Sequence, residues 1–199
     1  AHVYTSGPKI DDREKMMEQV LKDTGATFIH PYNNYNIIAG QATAAKELLE
    51  IVNDLEIVMA PIGGGGLMSG TALWCNYFNP SITVIGSEPK LVDDAYRSFL
   101  SGKIESNQRI DTIADGLRTK LGDKTLEIIR RHVDDIITVS EKSIIRAMQM
   151  IWERMKIIVE PSGAVPLAAI LENQDRFRNK KVGIIISGGN VDLKNLPFR

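Results

Sequence analysis

The chain has 199 residues, of which 43% are hydrophobic, and its formal net charge is −1. This content suffices for one packed domain or two small ones, and the balanced charge excludes the basic face that nucleic acids or anionic membranes require. The sequence has no secretory signal and no apolar run of the about eighteen residues that a membrane helix needs, so we expect a cytoplasmic protein that binds small molecules or copies of itself.

The first 33 residues predict a small αβ unit. Residues 1–4 predict the later part of a strand, and the lack of an initiator Met suggests that the chain begins inside a larger protein. Apolar residues at helical spacing predict a helix over 11–23 that stops at Gly25, followed by a short strand at 27–29. The residues 30–35 are polar and include Pro31 and two asparagines, which indicates a crossing between two layers or subdomains.

Residues 36–85 predict an alternation of helices and parallel strands. Asn36 is expected to cap a helix that extends to Val52, and strands follow at 56–60 and 82–85 with a helix between them. Cys75, the single cysteine, lies on the apolar side of that middle helix and is expected to be a buried packing thiol. Strands rich in β-branched residues are typical of an α/β fold with an open, mostly parallel sheet and helices on both faces.

The remaining segments continue this pattern. A helix is expected after Asp93, and further helices are expected at 123–133 and 160–173. Residues 101–122 lack clear periodicity, which indicates a functional loop. Strands are expected at 136–139 and 182–186. Between them, Ser140 is expected to cap a helix with one core-facing apolar stripe. The members of this stripe are Ile144, Ile145, Met148, Ile151, Trp152 and Met155.

Four consecutive glycines, Gly63 to Gly66, separate the strand at 56–60 from the helix that follows. Residues without Cβ let backbone N–H groups approach a ligand, and the helix start adds unpaired donors and a positive dipole end. The stretch therefore predicts an anion cradle, most often for phosphate. No Lys-Ser or Lys-Thr follows, which excludes the nucleoside-triphosphate P-loop, and an empty tight turn would not need four glycines.

A nicotinamide-dinucleotide domain is the main alternative use of this loop. The third glycine of the G-x-G-x-x-G motif is missing, because Met68 or Ser69 stands at that position. Glu88, however, lies about twenty residues further on, at the end of the next strand, where a ribose-binding acid would be. The dinucleotide alternative stays open at this point.

A second glycine turn follows the last predicted strand, at Ser187-Gly188-Gly189-Asn190. Ligands of open α/β sheets bind at the carboxyl ends of the strands, so both glycine turns can face one pocket. Ser187 would then present a neutral hydroxyl to the ligand of the first loop.

Five motifs occur in a distinctive order and spacing: Gly63 to Leu67, Glu88-Pro89, Asp115-Gly116, Glu160-Pro161 and Ser187 to Asn190. Together they resemble the serine/threonine dehydratase and serine racemase family of pyridoxal-phosphate enzymes, which has the tryptophan-synthase-β type of fold. The resemblance covers nearly the whole chain. It implies that residues 1–33 are a remnant of the small α/β domain and that 34–199 are the large cofactor-binding domain.

The resemblance implies one cofactor site made by both glycine turns. In it, Gly63, Gly64, Gly65 and Gly66 would bind the phosphate, Ser187 would pair with the pyridine nitrogen, and Gly116 and Glu160 would lie near the ring. Leu67 and Gly188 belong to the same cofactor-binding set. A hydroxyl cannot keep that nitrogen protonated as a carboxylate does, which favours β-elimination or racemisation over transamination.

A divalent-cation site is also implied by the resemblance. Its ligands would be Glu88, Asp94 and the backbone carbonyl of Val92, and hard oxygen ligands suit Mg²⁺, Ca²⁺ or Mn²⁺. The alternative for the two acids is a pair that stabilises a helix start.

One departure from the family pattern limits these expectations. The family holds its cofactor as a Schiff base on the lysine of a Ser-Phe-Lys motif, and this chain has no such tripeptide. We therefore predict no catalytic residue within the chain, expect it to be inactive alone, and expect a missing N-terminal segment to supply the lysine.

The expected intact enzyme is a threonine/serine ammonia-lyase that converts L-serine or L-threonine to a 2-oxo acid and ammonia. Serine racemase is the alternative within the family, and a dinucleotide-binding domain or a non-catalytic fragment are the alternatives outside it. The resemblance further implies a homo-oligomer such as a dimer.

Overall fold

The computed structural model describes residues 2–7, 10–107 and 109–198, and the chain divides into two compact units. The first unit is Ala1–His30 and the second is Pro31–Arg199. The predicted domain boundary, between residues 33 and 34, lies slightly later in the chain. The assignment of the first unit to a small family domain remains a prediction.

In the first unit, the described residues form helix α1 (Ile10–Thr24), which ends at Gly25 in a left-handed conformation with φ of 66°. The strands predicted at 1–4 and 27–29 are wrong, because residues 2–4 and 27–29 are irregular; Ala1 lies outside the described residues. A strand is stable only when a neighbour pairs with it and a core covers its side chains. Here Val3 and Ile29 are 90% and 65% exposed.

The second unit contains a parallel sheet of four strands within the described residues, in the order β3-β2-β1-β4. The strands are β1 (Ile57–Pro61), β2 (Thr83–Pro89), β3 (Asp135–Val139) and β4 (Val182–Ile184). The predicted bounds agree to within one residue except at two ends: β2 extends to Pro89 and β4 stops at Ile184. The central strand β1 lies between β2 and β4, so both predicted glycine turns leave neighbouring strands at the same edge.

Helices cover both faces of the sheet. They are α2 (Tyr35–Ile51), α3 (Gly66–Phe78), α4 (Asp94–Ser101), α5 (Asp123–His132), α6 (Glu141–Met150), α7 (Pro161–Glu172) and α8 (Gln174–Phe177). Val58 and Ala60 of β1 pack on one face, with residues of α2, α3 and α5. The alternate residues Ile57 and Met59 pack on the other face, with residues of α6 and α7. The predicted open, parallel α/β sheet is therefore confirmed.

Two helix details differ from the prediction. Helix α2 begins at Tyr35, because the side chain of Asn34, not Asn36, accepts the amides of Asn36 and Ile37 at 2.9 and 3.4 Å. After α6 the chain makes a π-helical turn, Ile151–Met155. Its wider turn rotates the following side chains, so the predicted core residue Met155 is 54% exposed.

Other features follow the sequence pattern. The side chain of Ser140 caps α6 by accepting the amide of Ser143 at 3.3 Å. Cys75 is fully buried in α3, and burial raises the pKa of its thiol to about 12, which confirms a packing role. In the described part of the chain, no helix is both long enough and apolar enough to span a membrane.

Candidate functional site

The glycine loop leaves β1 at the carboxyl edge of the sheet and leads directly into α3. Gly65 is the N-cap of α3 and has φ of 87°, a left-handed conformation that other residues rarely adopt. Gly63, Gly64 and Gly65 are buried, and their amides donate to no acceptor within the described residues. Because buried backbone donors are almost always paired, these three amides are available to bind an anion, and the predicted phosphate cradle stays a prediction.

Two side chains pack closely on this loop. Tyr32 lies against Gly64 and Gly66: a Cβ at Gly66 would be 2.9 Å from Cβ of Tyr32, and one at Gly64 would overlap its ring. On another side, the hydroxyl of Thr125 donates to the carbonyl of Gly64 at 2.9 Å. The glycines are thus required by close neighbours as well as by any ligand.

The 3₁₀ turn Asp115–Leu117 forms the next part of the site. A Cβ at Gly63 would lie 2.9 Å from the carbonyl oxygen of Gly116. The amide of Gly116 donates to Oγ of the buried Ser162 at 3.2 Å, in the first turn of α7. The turn therefore joins the glycine loop to the start of α7.

The second glycine turn packs against the same helix start. A Cβ at Gly163 would lie 3.2 Å from the carbonyl oxygen of Gly188 and 3.3 Å from the amide nitrogen of Ser187. The amide of Glu160, the N-cap of α7, donates to the carbonyl of Gly188 at 3.0 Å. Ser187 is exposed, and its hydroxyl makes no hydrogen bond within the described residues.

The carboxylate of Glu160 sits beside this turn and accepts the amide of Asn190 at 3.1 Å. Burial raises the pKa of Glu160 above its ordinary value, the hydrogen bond from Asn190 opposes the shift, and the charge of Asp115 adds to it. The carboxyl group of Glu160 therefore lies, half-buried, next to the loop that bears Ser187.

A continuous set of contacts connects five predicted cofactor residues: Gly63, Gly116, Glu160, Ser187 and Gly188. Leu67 differs, because its side chain is half-buried against the core on the side of α2, α3 and α5. Only the backbone of Leu67, at the start of α3, could therefore take part in binding the cofactor. The cofactor-binding role of the whole set stays a prediction.

Glu88 lies at the end of β2 and is fully buried. Its two carboxylate oxygens accept the amides of Ala95 and Tyr96 at 3.0 Å each, in the first turn of α4. Burial, and next the charge of Asp94, raise the pKa of Glu88 well above its ordinary value. Because Glu88 has no exposed surface, a ribose could not reach its carboxylate, which removes the basis of the dinucleotide alternative; each oxygen keeps a second lone pair for a small ion.

Asp94, the first residue of α4, is also fully buried. Burial raises its pKa to about 6, while a hydrogen bond from Asn107 to Oδ1 opposes the shift. Its other oxygen, Oδ2, is buried and has no hydrogen-bond partner among the residues that the structure describes. An unpaired buried oxygen beside a second buried carboxylate fits a divalent cation.

The cation site would be sparse in protein ligands. The described residues hold no group of three or more His, Cys, Asp or Glu side chains arranged for a metal ion. The backbone carbonyl of the buried Val92 is the third predicted ligand, and water would supply the others. The hydrogen bonds of Glu88 to α4 equally support a helix-stabilising role, so the cation remains a prediction.

Sequence reasoning missed four residues that shape these sites: Tyr32, Asn107, Thr125 and Ser162. Thr125 and Ser162 are buried polar residues near helix starts, and that position is their only sequence signal. Asn107 falls in the aperiodic segment predicted to be a functional loop. Tyr32 has no local signal, because its contact with the glycine loop depends on the tertiary fold.

Comparison with known proteins decides which family uses this arrangement. The family model described as "Pyridoxal-phosphate dependent enzyme" matches residues 1–188. The chain belongs to this family. The resemblance predicted from the sequence is thereby confirmed, and family membership implies pyridoxal phosphate as the cofactor.

Several relatives with assigned reactions are similar to the chain. It is 48% identical to β-hydroxyaspartate dehydratase of Paracoccus denitrificans over 96% of the chain and 61% of that protein. It is 48% identical to serine racemase of Arabidopsis thaliana over 98% of the chain and 60% of that protein. The chain thus spans about three fifths of the length of these relatives.

Solved structures of serine racemases and of a threonine deaminase share the fold of this chain. The structure of serine racemase from Dictyostelium discoideum superposes with a TM-score of 0.90 at 48% identity, over 97% of this chain and 62% of that one. The structure of maize serine racemase superposes with a TM-score of 0.94 at 45% identity, over 97% of this chain and 60% of that one. A threonine deaminase is also among the structures that share the fold, with a TM-score of 0.85 at 41% identity.

Proposed function

We propose that this chain is the cofactor-binding part of an enzyme that acts on a β-hydroxy-α-amino acid. The relatives support this substrate class, because serine, threonine and hydroxyaspartate all carry a β-hydroxyl group. The reaction would be β-elimination to a 2-oxo acid and ammonia, as in a dehydratase, or racemisation at Cα. Racemase names are at least as well represented among the relatives as dehydratase names, so both reactions stay in the proposal.

The observation that carries the proposal is the set of three buried, unpaired amides at Gly63, Gly64 and Gly65. They would hold the phosphate of the cofactor, with the dipole of α3 adding a favourable field. Ser187 would donate its hydroxyl proton to the pyridine nitrogen, or accept one from it, without providing a negative charge. When bound, pyridoxal phosphate supplies an electron sink for the substrate carbanion, and a neutral partner at its nitrogen moderates that sink.

The remaining site residues would define the walls of the cofactor site. The turn at Gly116 and the N-cap residue Glu160 would border the ring, because Gly116 contacts the first turn of α7 and Glu160 contacts the second glycine turn. Glu88, Asp94 and the carbonyl of Val92 would bind Mg²⁺, Ca²⁺ or Mn²⁺ and fix the start of α4. The cation would thereby stabilise the large domain and take no part in bond breaking.

A binding experiment tests the cofactor site without requiring a Schiff-base lysine. Pyridoxine 5′-phosphate has no aldehyde, so it cannot bond covalently to surface lysines. Isothermal titration calorimetry should detect its binding, and pyridoxine, which lacks the phosphate, should bind at least about tenfold more weakly. Gly65→Ala should reduce the affinity, whereas Gly40→Ala, an exposed glycine with open space around it, should not. No binding, or equal affinity for both ligands, would contradict the proposal.

A second experiment distinguishes the two reactions in a protein that also contains a Ser-Phe-Lys segment. L-serine, L-threonine and L-threo-3-hydroxyaspartate are supplied in turn, and 2-oxo acid, ammonia and D-amino acid are measured. Release of 2-oxo acid alone supports a dehydratase, and D-serine from L-serine supports a racemase. Absence of all three products with every substrate would contradict the proposed substrate class.

A further inference from the structure

Thr125 occupies an unusual position for a hydroxyl group. It lies in the first turn of α5, is fully buried, and contacts the glycine loop 61 residues earlier in the chain. Its Oγ accepts the amide of Gly122 at 2.9 Å and donates to the carbonyl of Gly64, also at 2.9 Å. The carbonyl of Gly122, at 3.2 Å, is a longer alternative acceptor.

The bond to Gly64 fixes a peptide plane within the anion cradle. In a trans peptide the C=O of one residue and the N–H of the next point in opposite directions. A carbonyl of Gly64 held towards Thr125 therefore turns the amide of Gly65 away from α5. That amide is one of the three unpaired donors.

Without such a bond, the backbone preferences of the two glycines would not by themselves fix the orientation of this plane. Gly64 and Gly65 both lack Cβ, and glycine populates conformations on either side of φ = 0 with similar ease. Gly65 has φ of 87°, and Thr125 lies directly behind it, since a Cβ at Gly65 would be 2.9 Å from Cβ of Thr125. The hydroxyl is therefore placed to select one orientation of the 64–65 peptide.

We propose that Thr125 is the positioning residue of the phosphate cradle, acting through the carbonyl of Gly64 to aim the amide of Gly65 at a phosphate. This inference rests on the proposed function. It assigns Thr125 no contact with the cofactor. Its effect should appear only with ligands that carry a phosphate, which a general structural role would not produce.

The experiment compares two substitutions at residue 125 with a matched substitution elsewhere. Thr125→Val keeps the shape and removes the hydroxyl, and Thr125→Ser keeps the hydroxyl. Thr71→Val in α3 is the control, because Thr71 is equally buried and its Oγ1 has no hydrogen-bond partner in the described part of the chain. Calorimetry with pyridoxine 5′-phosphate and with pyridoxine is run on all four proteins, after circular dichroism has verified folding.

We expect Thr125→Val to weaken pyridoxine 5′-phosphate binding about tenfold and to leave pyridoxine binding unchanged. Thr125→Ser should stay within about threefold of the parent protein, and Thr71→Val should match it. The inference is overturned if folded Thr125→Val binds both ligands as the parent does, or loses affinity for both equally. If Thr125→Val does not fold, Thr125→Cys, whose S–H is a weak donor, replaces it with the same expectation.

Failure of the proposed function gives a different result. In that case the parent protein itself does not bind pyridoxine 5′-phosphate, and the inference falls with it. A parent protein that binds the phosphate ligand, together with a Thr125→Val variant of equal affinity, overturns the inference alone.

Discussion

Gly188 packs directly on the carboxylate of Glu160. A Cβ at Gly188 would lie 2.7 Å from Oε1 of Glu160, while the amide of Glu160 donates to the carbonyl of Gly188 at 3.0 Å. This contact joins the second glycine turn to the N-terminus of α7. It therefore fixes the backbone next to Ser187, the residue proposed to face the pyridine nitrogen.

Substitution of Gly188 should affect ligand binding more than folding. In Gly188→Ala the new methyl group displaces the end of a half-buried, flexible carboxylate, so the free energy of unfolding should fall by less than about 1 kcal/mol. Pyridoxine 5′-phosphate affinity should fall several-fold, because the displaced carboxylate loses the hydrogen bond from the amide of Asn190 that helps to hold the turn bearing Ser187.

The neighbouring glycine provides the control for this prediction. A Cβ at Gly189 would lie 2.5 Å from the backbone carbonyl oxygen of Ile158, which cannot rotate away. Gly189→Ala should therefore lower the free energy of unfolding by about 1–3 kcal/mol in urea titrations. Equal stability losses for the two variants would refute this distinction.

Gly70 should be essential where α2 and α3 cross. Its Cβ would lie 2.5 Å from the carbonyl oxygen of Ile38 and 2.6 Å from the amide nitrogen of Ala42. Gly70→Ala must separate two backbones, which should lower the free energy of unfolding by about 3 kcal/mol. Gly40→Ala, at an exposed helical position with open space, should raise it by about 0.5–1 kcal/mol. A destabilised Gly40→Ala or a neutral Gly70→Ala would contradict the packing described for these helices.

Asp94 should control the response to divalent cations. In chelator, Asp94→Asn should raise the free energy of unfolding by on the order of 1 kcal/mol, since it removes a buried charge with an unpaired oxygen. Millimolar Mg²⁺ or Ca²⁺ should raise the thermal midpoint of the parent protein and leave that of Asp94→Asn unchanged.

Asp93→Asn is the control for the cation experiment. Asp93 is adjacent in sequence, but its partly exposed carboxylate pairs with Arg97 at 2.8 Å. This variant should retain the cation response. A parent protein with no response, or an Asp94→Asn variant with the full response, would show that the acid pair only stabilises the start of α4.

Cys75 should resist thiol reagents in the folded protein. Burial raises the pKa of the thiol to about 12, so both access and thiolate are lacking at pH 8.5. An aromatic disulfide reagent should leave the native protein unmodified for hours and label one thiol per chain within minutes in concentrated urea. Rapid labelling without denaturant would disprove the burial of this residue.

The parallel sheet could be predicted because its strands are short apolar runs that alternate with helices. The end of β2 could not be predicted, because the sequence Gly86, Ser87 and Glu88 is typical of a polar turn. In the structure this end is buried, and the hydroxyl of Ser87 donates to the carbonyl of Ala60 on β1 at 3.3 Å. Burial of such polar residues depends on the neighbouring strands, which a local pattern does not contain.

The glycine loop could be found from the sequence because only special backbone conformations need so many glycines. The residues that pack on the loop could not be found in this way, because Tyr32 and Thr125 contact it from segments about 30 and 60 residues away in the chain. The π-helical turn after α6 is similarly invisible to helical spacing, and it exposes Met155. Motifs thus predicted a ligand for the loop, whereas tertiary contacts determine how the loop is held.

The most direct test of the central claim is a crystal structure of the protein with pyridoxine 5′-phosphate. We expect the phosphate within hydrogen-bond distance of the amides of Gly63, Gly64 and Gly65, and the pyridine nitrogen about 3 Å from Oγ of Ser187. A ligand bound elsewhere, or bound at the glycine loop with its ring directed away from Ser187, would contradict the account.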